Sequence, residues 1–174
     1  MKLDTEVKRK PEAFINIMSF LKRIFVKKEN EQPLEPIFPG ESFSIFKLNL
    51  PEGWGLASAN KAYDEYPNKA FYPWHVLIVL EVIDKNENGH PIDLDAIKLN
   101  DLEDQVSDFL KKYQTVHFVV RVTRNGFRDL LFYIDQPKFK NEDVRNFCDA
   151  VMEERGINFS VHNDPDWKAA GFIK

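Results

Sequence analysis

The sequence predicts an α+β domain of the ferredoxin-like kind, β-α-β-β-α-β, in which a four-stranded antiparallel sheet carries two helices on one face. Three observations predict it. Segment 74–84, WHVLIVLEVID, is apolar at successive positions, as a strand covered on both faces must be. Asn125-Gly126 separates two runs of β-branched and aromatic residues, and both residues tolerate the positive φ of a two-residue hairpin turn. Two segments of helical periodicity, 100–113 and 141–156, fall one before and one after that hairpin.

The chain opens with a different kind of segment. PEAFINIMSFLKRIFVKK places Phe14, Ile17, Met18, Leu21, Ile24 and Phe25 at helical spacing, with Pro11 suited to a first turn. Lys22-Arg23 end the apolar run too early for a membrane span, and no small-residue cleavage site follows. Residues 1–28 are therefore expected to form a basic amphipathic helix. It packs on its own domain, pairs two copies as a homodimer, or lies peripherally on an anionic membrane surface. Pro33, Pro36 and Pro39 stiffen a linker over 29–40.

The α+β domain spans 41–174, with 41–73 an extension ahead of a core at 74–174. In the extension, SFSIFKLNL alternates as a strand, and the residues that follow hold at most a short helix near 58–63. In the core, Asn100 and Glu103 read as a capping box for the first helix, whose Leu102, Val106, Phe109 and Leu110 share a face. Asn141 caps the second helix, and Gly156 ends it. INFSVHN closes the sheet with Ile157, Phe159 and Val161 toward the helices.

Hairpin geometry assigns the side chains. With Asn125-Gly126 as the loop, Thr123 faces Arg128, Arg121 faces Leu130 and Val119 faces Phe132. One side of the sheet then carries His117, Arg121, Thr123 and Arg128, and His162 joins it from the last strand. Two readings of this patch stand. Arg121 is a partly buried cation paired with Glu81 or Asp129, beneath residues 41–72 or the N-terminal helix. Alternatively, Arg121, Arg128 and Thr123 hold a carboxylate or phosphate on a partner, a task suited to the bidentate guanidinium.

Composition narrows the function. The chain has 174 residues and net charge −4, but residues 1–30 hold eight Lys/Arg against four Asp/Glu, leaving the remainder at −8. An acidic domain repels phosphate backbones, which argues against nucleic acid as a partner. A single Cys148 excludes an internal disulfide and fits a reducing, cytoplasmic setting. The four histidines lack metal-ligand spacing, and no phosphate-binding glycine loop or nucleophile elbow is present, so neither metal nor cofactor is expected. In NDPDW, Asp164-Pro165 sets a turn that docks Trp167 on the core as a structural clasp.

The segment RVTRNGFRDLLFYID, the helix LNDLEDQVSDFL before it and NDPDW some thirty residues later carry a resemblance. Together, R-x-T-x-x-G-x-R-x-x-x-F-Y and D-P-x-W resemble the bacterial family catalogued as domain of unknown function 695, over roughly residues 70–174. The matching residues are Arg121, Thr123, Gly126, Arg128, Phe132, Tyr133, Asp164 and Trp167, with Asn125 completing the turn. The resemblance implies no established activity. It also implies a fold similar to that of the ribonuclease E inhibitor protein B, which acts by binding its enzyme. The leading expectation is a non-enzymatic adaptor or regulator that binds a protein partner through the open sheet face and the hairpin tip. The alternative is a hydrolase or nuclease using His117 and His162 with nearby carboxylates.

Overall fold

The computed structural model describes residues 36–51 and 53–173. The expected N-terminal helix lies outside them, as does 29–35 of the linker. The described chain runs β1 (Phe43–Leu50), β2 (Gly53–Asn60), β3 (Trp74–Glu81), α1 (Asp93–Lys111), β4 (Val116–Arg124), β5 (Phe127–Ile134), α2 (Asn141–Met152) and β6 (Ile157–Asn163). Short 3-10 turns sit at Lys61–Tyr63, Lys69–Phe71 and Lys168–Ile173.

All six strands join one antiparallel sheet in the order β1-β2-β4-β5-β3-β6. This corrects the expected four-stranded ferredoxin-like sheet. Strand β4, which would have been an edge, is interior, because β2 pairs along its free side and β1 continues the sheet. The overlooked strand is GWGLASAN, whose glycines and alanines have little strand propensity. Its small residues have a packing reason: Ala57 and Ala59 are fully buried in a cluster with Tyr63, Tyr66 and Tyr72. Larger side chains there would overfill the space those rings take.

A second correction concerns α1, which begins at Asp93 rather than at Asn100. Ile92 precedes it without a side-chain cap. Asn100 and Glu103 therefore lie inside the helix, where their side chains are free for other partners. Helix α2 begins at Asn141 itself, preceded by Lys140.

The hairpin turns at Asn125 (φ 42°) and Gly126 (φ 81°), both in the left-handed region, as a two-residue turn requires. Thr123 pairs with Arg128 and Arg121 with Leu130, but the register slips between Phe118 and Val120. Phe118, not Val119, opposes Phe132. An extra residue in one strand reverses the alternation beyond it. His117 thus faces the side opposite to Arg121 and Thr123, which corrects the expectation that the three share a face.

Each face has its own core. On the helix side, Val76, Ile78, Leu80, Leu130, Phe132 and Ile134 meet Leu99, Val106 and Leu110 of α1 and Val151 of α2. Burying each such side chain contributes roughly 1.5–3 kcal/mol before conformational entropy is counted. On the other side, Val120, Val122, Leu131 and Tyr133 are covered by Tyr63, Tyr66, Tyr72 and Trp167.

Candidate functional site

The arginines lie on the helix side, against α1. Arg121 Nη1 donates to Glu103 Oε2 at 3.2 Å and to Asn100 Oδ1 at 3.4 Å. Arg128 Nη1 donates to that same Asn100 oxygen at 2.8 Å. Neither Glu81 nor Asp129 is Arg121's partner; Asp129 pairs instead with Arg124, at 2.8 Å. Thr123 and Arg128 are buried, whereas the Arg121 side chain is about one-third exposed. Burial lowers the Arg128 pKa to about 10, assisted by repulsion from Arg121. It also raises the Glu103 carboxyl above its ordinary range, even though Arg121 and Arg128 pull it down. Arg128 remains cationic at neutral pH.

Beyond Arg121, among the described residues, the helix-side face of β1 and β2 is largely open, apart from Trp54, on which His90 stacks. Arg121 neighbours Ser58 on β2, and Ser58 neighbours Ile45 on β1. Ile45 is 70% exposed, Phe43 52% and Leu56 42%. These three apolar side chains occupy adjacent strands of one face, with Lys47 opposite Leu56. Large apolar groups held together in water mark an interaction surface more often than a scattered one does.

Three of the four histidines lie on the other face; His90, in the loop before α1, stacks on Trp54. His117, Tyr133, His75 and His162 stand directly opposite one another across β4, β5, β3 and β6. Three strand spacings put His117 roughly 14 Å from His162, so the pair expected for hydrolytic chemistry does not meet. His117 is fully buried, and its Nδ1 shares a hydrogen bond with the Tyr63 hydroxyl at 3.1 Å inside a nest that includes Tyr72 and Trp167. His162 is exposed on β6, its ring 5.2 Å from His75. Among the described residues, no group of three His, Cys, Asp or Glu is arranged to hold a metal ion. Also among them, no helix is long and apolar enough to cross a membrane.

Burial lowers the His117 pKa from its ordinary 6.5 to about 4, with Asp135 pulling weakly the other way. Its folded value lies below its unfolded one, so the unfolded chain takes up the proton first as pH falls. The neutral ring's contribution is complete above about pH 6.5 and declines toward pH 4. Acidification over that window is expected to remove about 3 kcal/mol through this one group. His75 and His90 are shifted the same way, each chiefly by burial. Urea unfolding at pH 7 and pH 4.5 of wild type and His117→Gln isolates the term; equal pH slopes in the two would refute it.

Asp164, Trp167 and Tyr133 form a clasp on the histidine face. The Tyr133 hydroxyl donates to Asp164 Oδ2 at 2.7 Å, and the N–H groups of Lys168 and Ala169 donate to the same carboxylate. Burial alone would raise the Asp164 pKa, but these donors together with His75 hold it below its ordinary value. Trp167 stacks on Tyr133 with centroids 3.8 Å apart. The hairpin tip is also engaged: Gly126 N–H donates to Gly89 O at 2.9 Å, and Gly126 O accepts from Val82 N–H. Asn125 and Gly126 are thus held by the loop that precedes α1 rather than offered freely.

Sequence reasoning missed the roles of Asn100 and Glu103, which it had placed at a helix start. It also missed His75, which has no linear spacing to the other histidines and joins their row only through strand register.

A sequence profile described as "Family of unknown function (DUF695)" matches residues 55–172. No curated protein matches the chain, and no solved structure does.

Proposed function

The chain belongs to the DUF695 family of unknown function, and on that premise we propose that it is a non-enzymatic regulator that binds another protein. The partner docks on the helix-side face of β1 and β2, beside Arg121. The observation that carries this reading is the exposed set Phe43, Ile45 and Leu56 on one face of two adjacent strands. Its centre is apolar, its flank holds Lys47 and Arg121, and β1 is the edge of the sheet, so a partner gains both side-chain contacts and strand-edge hydrogen bonds. Three groups with acid–base chemistry are committed elsewhere: His117 to Tyr63, Asp164 to Tyr133 and Glu103 to Arg121. The lone Cys148 supports a cytoplasmic setting.

The test compares capture from host lysate by full-length wild type and by Ile45→Glu, read by quantitative mass spectrometry. Ile45 is 70% exposed, so the substitution leaves the thermal midpoint near that of wild type. A partner held by wild type and depleted about tenfold or more by Ile45→Glu is expected. An unchanged set of captured proteins would remove this face from the account.

A further inference from the structure

The cluster beneath α1 leaves one buried arginine without a carboxylate of its own. Arg121, Arg128 and Arg155 meet there against Glu103 and Asp95. Asp95 is taken by Arg155 at 2.7 Å, and Glu103 by Arg121 at 3.2 Å. Arg128 is left with Asn100 Oδ1, a neutral oxygen toward which Arg121 also reaches. Arg128 is 5% exposed, and its Nε is buried without an acceptor among the described residues. A buried guanidinium lacking its own counter-charge is unfavourable, and a carboxylate is the acceptor that its fork of donors fits.

We propose that Arg121 and Arg128 form a carboxylate-binding site, and that the carboxylate is an acidic side chain of the polypeptide docked on the adjoining β1–β2 face. The identity of the donor rests on the docking reading above; the site itself does not. Two guanidinium groups converge on one amide oxygen, which fixes their separation before any ligand arrives. Arg121 is exposed enough to receive the ligand, and its neighbour Ser58 lies on the open side of the cluster. An entering carboxylate supplies the missing negative charge, with Thr123 standing directly across from Arg128 on the same face. Arg121 sets access and Arg128 sets the charge deficit.

Acetate is the probe. In full-length protein with 15N-labelled arginine, the Arg128 Nε–H resonance is followed during titration with sodium acetate, against sodium chloride at equal ionic strength. A saturable shift specific to acetate is expected, weakened about tenfold or more in Arg121→Gln. Absence of a saturable shift overturns the site, and a response to inorganic phosphate without one to acetate overturns the carboxylate assignment. Asn100→Asp gives a second reading should Arg121→Gln fail to fold. It sets a carboxylate between the two guanidinium groups, so the thermal midpoint rises and the acetate response disappears. A lowered midpoint would show that the cluster is not short of negative charge and would overturn the proposal. Acetate requires no partner, so this outcome is separable from the Ile45→Glu capture.

Discussion

Replacing Arg155 with alanine is expected to destabilise the domain by about 3–5 kcal/mol. Arg155 follows α2 in the chain, and its side chain is only 2% exposed. Its Nη2 donates to Asp95 Oδ1 at 2.7 Å and its Nη1 to the Glu81 carbonyl at 3.0 Å. Asp95, in the first turn of α1, accepts from the Ile83 N–H through its other oxygen at 3.1 Å. One guanidinium thus joins the exit of α2, the end of β3 and the entry of α1, three points far apart in sequence. Removing it strands a buried carboxylate, and this desolvated charge, more than the lost attraction, sets the size of the effect. The double replacement Asp95→Leu with Arg155→Met removes both charges and should lose less than the two single changes added together. Urea unfolding of the three variants measures this directly. A loss below about 1 kcal/mol for Arg155→Ala would place the pair among the weak, screened ion pairs instead.

That link was not legible in the sequence, and the reason is instructive. Asp95 precedes the residues that carry the visible helical pattern, in a first turn that has no side-chain cap to announce it. Asn100 and Glu103 present the spacing of a capping box, so local chemistry pointed to a helix start seven residues late. What uses their side chains is tertiary: Arg121 and Arg128, some twenty to thirty residues further on. The same holds for β2. Glycine and alanine read as loop until the rings of Tyr63, Tyr66 and Tyr72 are laid over Ala57 and Ala59.

Short-range signals carried much further. Asn125-Gly126 located the hairpin, and its register held through Arg121 opposite Leu130 to Val120 opposite Leu131. The slip at Val119 ended it. Val119 and Val120 are equally at home on either face, so no change in apolar pattern marks the extra residue, yet it divides the candidate site in two. Arg121, Arg128 and Thr123 lie under α1, while His117 lies in an aromatic nest on the far side. His162 faces away from the helices as the alternation of β6 requires, but roughly 14 Å from His117. The residue types were visible; which of them share a face depended on one inserted position.

Trp167→Ala is expected to have an effect of the same size, about 3–5 kcal/mol. Trp167 is 3% exposed and lies parallel to Tyr133, with 6° between the ring planes. Its Nε1–H donates to the carbonyls of Tyr72 at 3.0 Å and Lys69 at 3.1 Å. The indole therefore ties residues 69–72 to the C-terminal segment, and that segment is held in turn by Asp164, which accepts from Tyr133, Lys168 and Ala169. Alanine leaves a cavity over Tyr133 and takes the indole donor from the buried Tyr72 carbonyl, while the Lys69 carbonyl keeps the Tyr72 N–H. Trp167→Phe restores a ring but not the N–H, so its loss should fall between wild type and alanine. Equal losses for both variants would assign the effect to the hydrogen bonds alone, and a loss under about 1 kcal/mol in alanine would mean the clasp is not structural. Partner capture separates this role from a binding one. Ile45 and Leu56 lie on the opposite side of the sheet from Trp167. A folded Trp167→Phe protein should therefore retain the partner that Ile45→Glu loses. If it lost that partner too, the binding surface would have to include the clasp, and the open strands would no longer account for it.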